Sequence, residues 1–378
     1  MRPSEYGLDP SYDTVWELAR AVVATVPEAE REPGTLTREI LKAFRDGGLP
    51  GYTVAEGGPD PVNLTVMREA LMYGCSGLDA MFVLQATGGL LLAAGSDELR
   101  SEWLPRLASG EALAAMALTE PGAGSDLKAA TTRVRADGGE LVLDGLKSFI
   151  SHAEVADVIT VFAREESGYS LVAVPAGTPG LTVTPGPALI APHDVATVTL
   201  DGVRLPATHR IGPPGSAFAQ VLAALTVTRA SVAGSAVGLA QAALDEAVRH
   251  CARREQFGRP LYKHGPVAGL LADSAADVES ARLLAYRAAV LARDGAPGAL
   301  DYASMAKLSA SEAACRVVDR CVQAMGRFGL VAGSRIGDLY LLARPLRIYE
   351  GASEVLRLGV ARALVAGSLG PEHVKAEE

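Results

Sequence analysis

Thr119 and Ser125 sit in a stretch, Met116–Asp126, that reads MALTEPGAGSD. Pro121, Gly122 and Gly124 stop a helix here and permit tight turns with positive φ. Two hydroxyls beside a run of free backbone N–H groups suit an anion such as a phosphate, or the polar edge of a ring. A surface turn between two domains has the same Gly/Pro content. The loop alone leaves both readings open, and the elements around it have to decide.

Those elements change character twice along the chain. Residues 12–115 carry apolar side chains at helical spacing, in segments Tyr12–Val26, Leu36–Phe44, Val62–Tyr73, Leu78–Ala94 and Asp97–Leu107. Ser96 is placed to cap the last of these, with acidic residues in its first turn. After the loop the period shortens. Thr132–Ala136 and Glu140–Asp144 flank Asp137-Gly138-Gly139, a hairpin signal. Strand patterns recur at Val158–Ala163, Ser170–Val174, Leu181–Thr184 and Thr197–Leu200, with no helix between them, which predicts an antiparallel barrel or sandwich. From Phe218 the helical period returns, in segments Phe218–Cys251, Pro266–Arg293, Asp301–Met325 and Glu354–Val365, the last with Ser353 as its cap. Four long helices suit an antiparallel bundle. The expected fold is therefore α+β and multidomain: an N-terminal helical domain at 1–113, a middle β-barrel domain at 114–214 and a C-terminal helical bundle at 215–378.

Length and composition agree with several domains and a large core. The chain has 378 residues, 49% hydrophobic and 21% charged, with a formal net charge of −9. An acidic chain is a poor partner for nucleic acid or an anionic membrane through its overall field. No apolar run reaches spanning length without polar interruption, and the N-terminus lacks an apolar signal region, so a cytoplasmic protein is expected. Cys75, Cys251, Cys315 and Cys321 show no zinc or redox spacing and are read as reduced, buried thiols inside helices, with no metal site.

The string ALTEPGAGSD resembles the first signature of the acyl-CoA dehydrogenase family, whose loop grips a flavin. Four further stretches match the same family in the same order: GLKSFIS at Gly145–Ser151, RREQFGRPL at Arg253–Leu261, Leu271-Ala-Asp273, and RIYEGASE at Arg347–Glu354. The resemblance covers nearly the whole chain. It implies an FAD-dependent α,β-dehydrogenation of an acyl thioester, carried on coenzyme A or on an acyl carrier protein. Removing hydrogen from Cα and Cβ takes a base at Cα and a hydride acceptor at Cβ, and the flavin is that acceptor. Glu350 matches the base and Arg229 the arginine beside it. Thr119 is implied to bond the pyrimidine side of the flavin, Ser125 its pyrophosphate, and Ser151 the region of N5, with Phe149 packed on the ring where many relatives carry Trp. Arg254 and Phe257 are implied to reach the distal half of a flavin held by another subunit, with Gln323, Gly326 and Arg327 nearby. This requires a homo-oligomer, a tetramer or a dimer. Electrons would pass to an electron-transferring flavoprotein.

Met116, Tyr349 and Gly351 are implied to line the substrate site. On the helix matching the family's acyl tunnel, Phe82 falls near the pocket floor and Gln85 on a neighbouring turn. A bulky Phe82 favours a short acyl chain, with Gln85 meeting a small polar or unsaturated end. Phe82 as ordinary core, silent on chain length, is the competing reading.

The departures from the family pattern cluster. Gly265 replaces a glutamine, Arg327 replaces the second glycine of Gln-x-x-Gly-Gly, Ala352 replaces a threonine, and Leu341-Leu342 stands for an Arg-Asp pair, although Arg344 is kept. Most of these serve the distal flavin half in relatives, and Arg327 could replace lost contacts by pairing with phosphate. Two other readings stay open: a flavin oxidase or N-hydroxylating monooxygenase on this fold, and a non-catalytic subunit of a heteromeric assembly.

Overall fold

The computed structural model describes residues 2–31, 36–55 and 58–369. The chain packs as two compact units that follow packing rather than chain order. The first comprises Met1–Pro33, Pro61–Asp79 and Thr226–Glu378, the second Gly34–Asp60 and Ala80–Leu225. The domains expected from sequence follow switches of hydrophobic period; the units gather segments distant in sequence.

The first unit is helical. It holds α1 (Ser11–Thr25), α3 (Pro61–Gly74) and, from the C-terminal part, most of α6 (Ala217–Arg253), then α7 (Gly265–Arg293), α8 (Ala299–Met325), α9 (Arg335–Ala343) and α10 (Ser353–Val365). α1 packs on α3, α3 on α7, and α8 on α7, α9 and α10. Small residues make the approaches close. A Cβ on Gly234 would lie 2.4 Å from the Thr65 carbonyl oxygen, and one on Gly238 2.1 Å from that of Glu69, so glycine at both positions lets α6 lie on α3. Polar ties join α7 to both helices. Arg282 donates to Glu69 and to Gln241, each at 2.8 Å, and the Tyr286 hydroxyl donates to Glu69 at 2.8 Å. The Tyr6 hydroxyl donates to Glu279 at 2.8 Å across 273 residues of sequence.

The second unit holds α2 (Arg38–Asp46), most of α4 (Ser76–Leu92), α5 (Asp97–Ser109) and eight strands: β1 (Ala114–Ala117), β2 (Arg133–Asp137), β3 (Glu140–Ser151), β4 (Val158–Glu165), β5 (Gly168–Pro175), β6 (Leu181–Pro185), β7 (Val195–Pro206) and β8 (Arg210–Ile211). Ser96 caps α5 as expected, its hydroxyl accepting from the Leu99 N–H at 3.2 Å. The β2–β3 hairpin turns on Gly138 and Gly139, with φ of 59° and 90°, the pair of positive angles a tight hairpin demands. The sheet order is β6-β7-β3-β2-β4-β5-β8, with β1 beside β4. The expected antiparallel pairing dominates, yet β1–β4 and β2–β4 are parallel, so the sheet is mixed. β1 was not legible as a strand. Its Ala114-Ala-Met-Ala117 continues a helix-like run, and its state is set by pairing with β4.

Four other details differ from the sequence reading. α9 is an additional helix, capped by Ser334. The cap of α10 is Ala352, one residue before Ser353, which opens the helix buried. None of the four cysteines is in a disulfide, but Cys75 lies between α3 and α4 rather than inside a helix, and Cys315 is only half-buried. By length and hydropathy one helix, α6, could span a membrane; 67% of its apolar window is buried inside the protein, so core packing accounts for its composition.

Candidate active site

Glu350 sits in the turn between Pro345–Arg347 and α10, in the first unit. Its φ is +55°, a left-handed conformation that a residue with a Cβ adopts only under constraint, and Gly351 follows at +106°. The constraint is visible. Arg229 Nε donates to the Glu350 carbonyl at 2.9 Å, and Lys307 Nζ donates to the Gly351 carbonyl at 2.7 Å. Arg229 also reaches Ser304 Oγ at 3.0 Å. The carboxylate itself accepts from Thr228 Oγ1 at 3.1 Å, through Oε2. Among the described residues Oε1 has no hydrogen-bond partner, which leaves one oxygen available to take a proton. Burial lowers the Arg229 guanidinium, with Glu350 opposing it. Burial also lowers the Lys307 ammonium, to about 8.

Behind this turn lies a buried ion pair. Arg68 donates to both carboxylate oxygens of Asp79 at 2.8 Å, and both residues are 2% exposed. Ser235 donates to the same carboxylate at 2.9 Å. Arg68 also donates to Ser231 Oγ at 3.2 Å, and Ser231 Oγ donates to the Thr228 carbonyl at 2.8 Å. The pair is thus joined to the residue that holds Glu350. Tyr349, beside the base, is part-exposed.

In the second unit, Met116 lies half-buried within β1, one residue before its end, and the 119–126 loop follows. Glu120 and Ala123 close it with two backbone bonds, of 2.9 and 3.1 Å. The Glu120 side chain points inward, 4% exposed, and accepts from Lys147 Nζ at 2.8 Å, from the Thr131 N–H and hydroxyl at 2.7 Å each, and from the Thr132 N–H at 3.0 Å. Burial pushes its carboxyl up; Lys147 and these donors outweigh burial and hold it at about 2. Lys147 lies on β3, so the pair fastens loop to strand. The Ser148 N–H adds a bond to the Thr119 carbonyl at 2.9 Å. Gly122 and Gly124 are exposed, and a Cβ on either would meet nothing within 4 Å. Ser125 is exposed as well.

The pairing of β3 with β7 shifts register between Lys147 and Ile150. A bulge re-aims side chains, and here it turns Phe149 outward, 52% exposed with φ +57°. Ser151 shares a hydrogen bond with His193 Nε2 at 2.7 Å. His152, φ +54°, is 5% exposed, and among the described residues neither ring nitrogen has a partner. Burial, reinforced by His193, lowers its pKa to about 3.

Two arginines from separate segments of the first unit meet over one ring. Arg254 follows α6 and Arg327 follows α8; their guanidinium carbons stand 5.7 and 5.2 Å from the Phe328 centroid. Gln323 is exposed on the last turn of α8, which Gly326 ends with φ +59°. Phe257 tips the short hairpin β9 (Glu255–Gln256) and β10 (Arg259–Pro260), 95% exposed with φ +50°.

On α4, Phe82 is fully buried, as is Gln85. The Gln85 amide donates to the Leu107 and Ala112 carbonyls at 2.9 and 2.8 Å and accepts from the Ala114 N–H at 3.2 Å. These bonds use it to join α4, α5 and β1, which replaces the expected contact with an acyl end. Thr228, Ser304, Lys307, Arg68–Asp79 and Glu120–Lys147 were absent from the sequence reading. Glu120 and Lys147 lay inside quoted motifs, but nothing in a linear string says they meet.

Matches to family-level descriptions cover the chain in three parts: acyl-CoA dehydrogenase N-terminal domain at 11–111, middle domain at 115–203 and C-terminal domain at 215–365. The chain belongs to the acyl-CoA dehydrogenase family. It is 32% identical over 366 residues to cyclohexane-1-carbonyl-CoA dehydrogenase of Geobacter metallireducens, covering 93% of this chain and 96% of that one. It is 35% identical over 353 residues to the mitochondrial short-chain specific acyl-CoA dehydrogenase of Bos taurus, covering 90% and 84%. Its fold matches a glutaryl-CoA dehydrogenase from Mycobacterium smegmatis in complex with FADH2, with TM-score 0.89, 27% identity and 98% of each chain covered.

Proposed function

We propose that the protein is an FAD-dependent dehydrogenase that removes hydrogen from Cα and Cβ of a short or compact acyl-CoA thioester. The single observation that carries this is Glu350, in a left-handed turn tied by Arg229 and Lys307 and with Oε1 unpartnered among the described residues. A carboxylate with a fixed backbone and one free oxygen suits abstraction of a carbon-bound proton, where geometry sets the rate. Glu350 takes the α-proton on Oε1 while Thr228 holds Oε2. Bound FAD supplies the acceptor for the hydride that leaves Cβ.

The donors fit such a group. Gly122 and Gly124 leave open space along the loop, Ser125 is exposed, and Phe149 offers a ring face at the β3 bulge. Ser148 Oγ and both His152 nitrogens are buried polar atoms without protein partners among the described residues. Thr119 and Ser151 take the ring edge, and Arg254 and Arg327 take the phosphates of a cofactor held by another subunit of a homo-oligomer. In the first unit, Tyr349 and Gly351 beside the base meet the acyl thioester; in the second, Met116 and Phe82 are the candidate substrate contacts. Electrons leave to an electron-transferring flavoprotein. Four cysteines outside any disulfide suit a reducing cytoplasm.

The test is anaerobic bleaching of the flavin in the purified protein by a panel of acyl-CoA and acyl carrier protein thioesters of graded length. Rapid bleaching by short or cyclic acyl-CoA is expected. A colourless protein that takes up no FAD, or a flavin that no thioester reduces, ends the proposal.

A further inference from the structure

α8 presents Ser304 and Lys307 three residues apart, on one helix face. Both are turned to the Glu350 turn, and neither touches the carboxylate. Lys307 Nζ holds the Gly351 carbonyl at 2.7 Å, while Ser304 Oγ accepts from Arg229 at 3.0 Å and donates back to the Leu300 carbonyl at 2.7 Å. Arg229 in turn holds the Glu350 carbonyl at 2.9 Å. Two consecutive carbonyls of a strained turn are therefore bonded by cations referenced to one helix. Among the described residues no ion pair forms with Glu350, whose Oε1 stays available to a substrate while Thr228 holds Oε2.

Lys307 is a costly way to satisfy a carbonyl. Its side chain is fully buried, and burial lowers its pKa to about 8 although Glu350, Glu312 and Glu354 favour its charge and only Arg229 opposes it. An ammonium kept in such a place lowers stability, which is expected where activity gains from it. We propose that Lys307, assisted by Ser304, is a positioning residue for the base: through the Gly351 carbonyl and Arg229, α8 sets the direction of the Glu350 carboxylate. This rests on the reading of Glu350 as the base.

The experiment follows wash-in of solvent deuterium at Cα of a bound acyl thioester under anaerobic conditions, with kcat, KM, FAD content and Tm measured alongside. Lys307→Met should slow exchange and kcat by roughly 10- to 100-fold, the scale of a small misplacement of a catalytic group. KM should stay within about twofold, and FAD content and Tm should be kept. Ser304→Ala should slow exchange by roughly three- to tenfold, and Lys307→Gln, which retains an N–H donor, should recover part of the loss. Exchange lost in Glu350→Gln but intact in Lys307→Met overturns this inference alone; exchange intact in Glu350→Gln removes the base assignment on which it rests. A rate loss that tracks lost FAD and a lowered Tm makes Lys307 structural and also overturns it. If Lys307→Met does not fold, Ser304→Ala decides, and wild-type exchange there rejects the positioning role.

Discussion

Glu350 and Phe257 share a backbone conformation, with φ of +55° and +50°, and little else. Glu350 is enclosed by partners from its own unit: Thr228, Arg229 and Lys307 fix its carboxylate and the two carbonyls of its turn. Phe257 stands 95% exposed at a hairpin tip, its ring meeting the His264 ring edge-on at 5.9 Å. A left-handed residue with a Cβ carries strain that its surroundings must repay. At Glu350 the repayment is present in the single chain. At Phe257 it is not, which supports the proposal that another subunit completes that site.

The sharpest way to break the contrast is at its enclosed end. Glu350→Gln should fold and retain FAD but lose about 10²–10⁴-fold in flavin bleaching by an acyl thioester, the usual reach of a general base. Near-wild-type bleaching would remove the reason for the enclosure. At the other end, Arg254→Ala should weaken FAD retention by roughly 10- to 100-fold, since a charge-assisted phosphate bond is worth about 1.5–3 kcal/mol. Equilibrium dialysis reads this directly, and unaltered retention would detach the Arg254–Phe328–Arg327 cluster from the cofactor. Gly351→Ala tests the tie itself. Its new Cβ would lie 3.1 Å from Arg229 Nη2 and 3.1 Å from Leu356 Cδ2, at a φ of +106°. A loss of about 1–3 kcal/mol in urea unfolding is expected, together with slower bleaching.

Phe257→Ser should leave subunit stability within about 0.5 kcal/mol, as a fully solvated side chain allows, but shift the assembly toward smaller species. Sedimentation at falling concentration shows whether it does.

His152 extends the comparison to a left-handed residue that is buried, with no hydrogen bond to either ring nitrogen among the described residues. Its folded pKa of about 3 lies below the ordinary histidine value of 6.5, so the unfolded chain binds the extra proton first. Stability from the neutral ring is complete above pH 6.5 and is lost as pH falls toward 3. His152→Asn should flatten that part of the pH–Tm curve; an unchanged slope between pH 6 and 4 would assign the acid sensitivity elsewhere.

What could be read from the sequence was local. Gly138-Gly139 announced the hairpin because only positive φ at both positions closes it. The long helices of the first unit announced themselves by period, and the Glu350 segment by its string. What could not be read depended on partners distant in sequence. β1 is a strand because β4 is beside it. Gln85 reads as a ligand contact because a buried amide and an available one are identical on paper; three bonds, to α5, to β1 and to Ala112 between them, decide the matter. Lys307 precedes the carbonyl it holds by 44 residues, and a lysine within an Ala-rich helix gives no sign of pointing inward.

The threading of the first unit has a consequence in time. Its segments are interrupted by residues 34–60 and 80–225, which belong to the second unit. Glu69 waits 213 residues for Arg282, and Tyr6 waits 273 for Glu279. At translation rates of about 5–20 residues per second, Tyr6 leaves the ribosome roughly 14–55 s before its partner is made. The sheet needs no segment beyond residue 211. The second unit can therefore finish during synthesis, and α1 can pack on α3 early, while the faces of α3 that α6 and α7 cover wait for those helices to arrive.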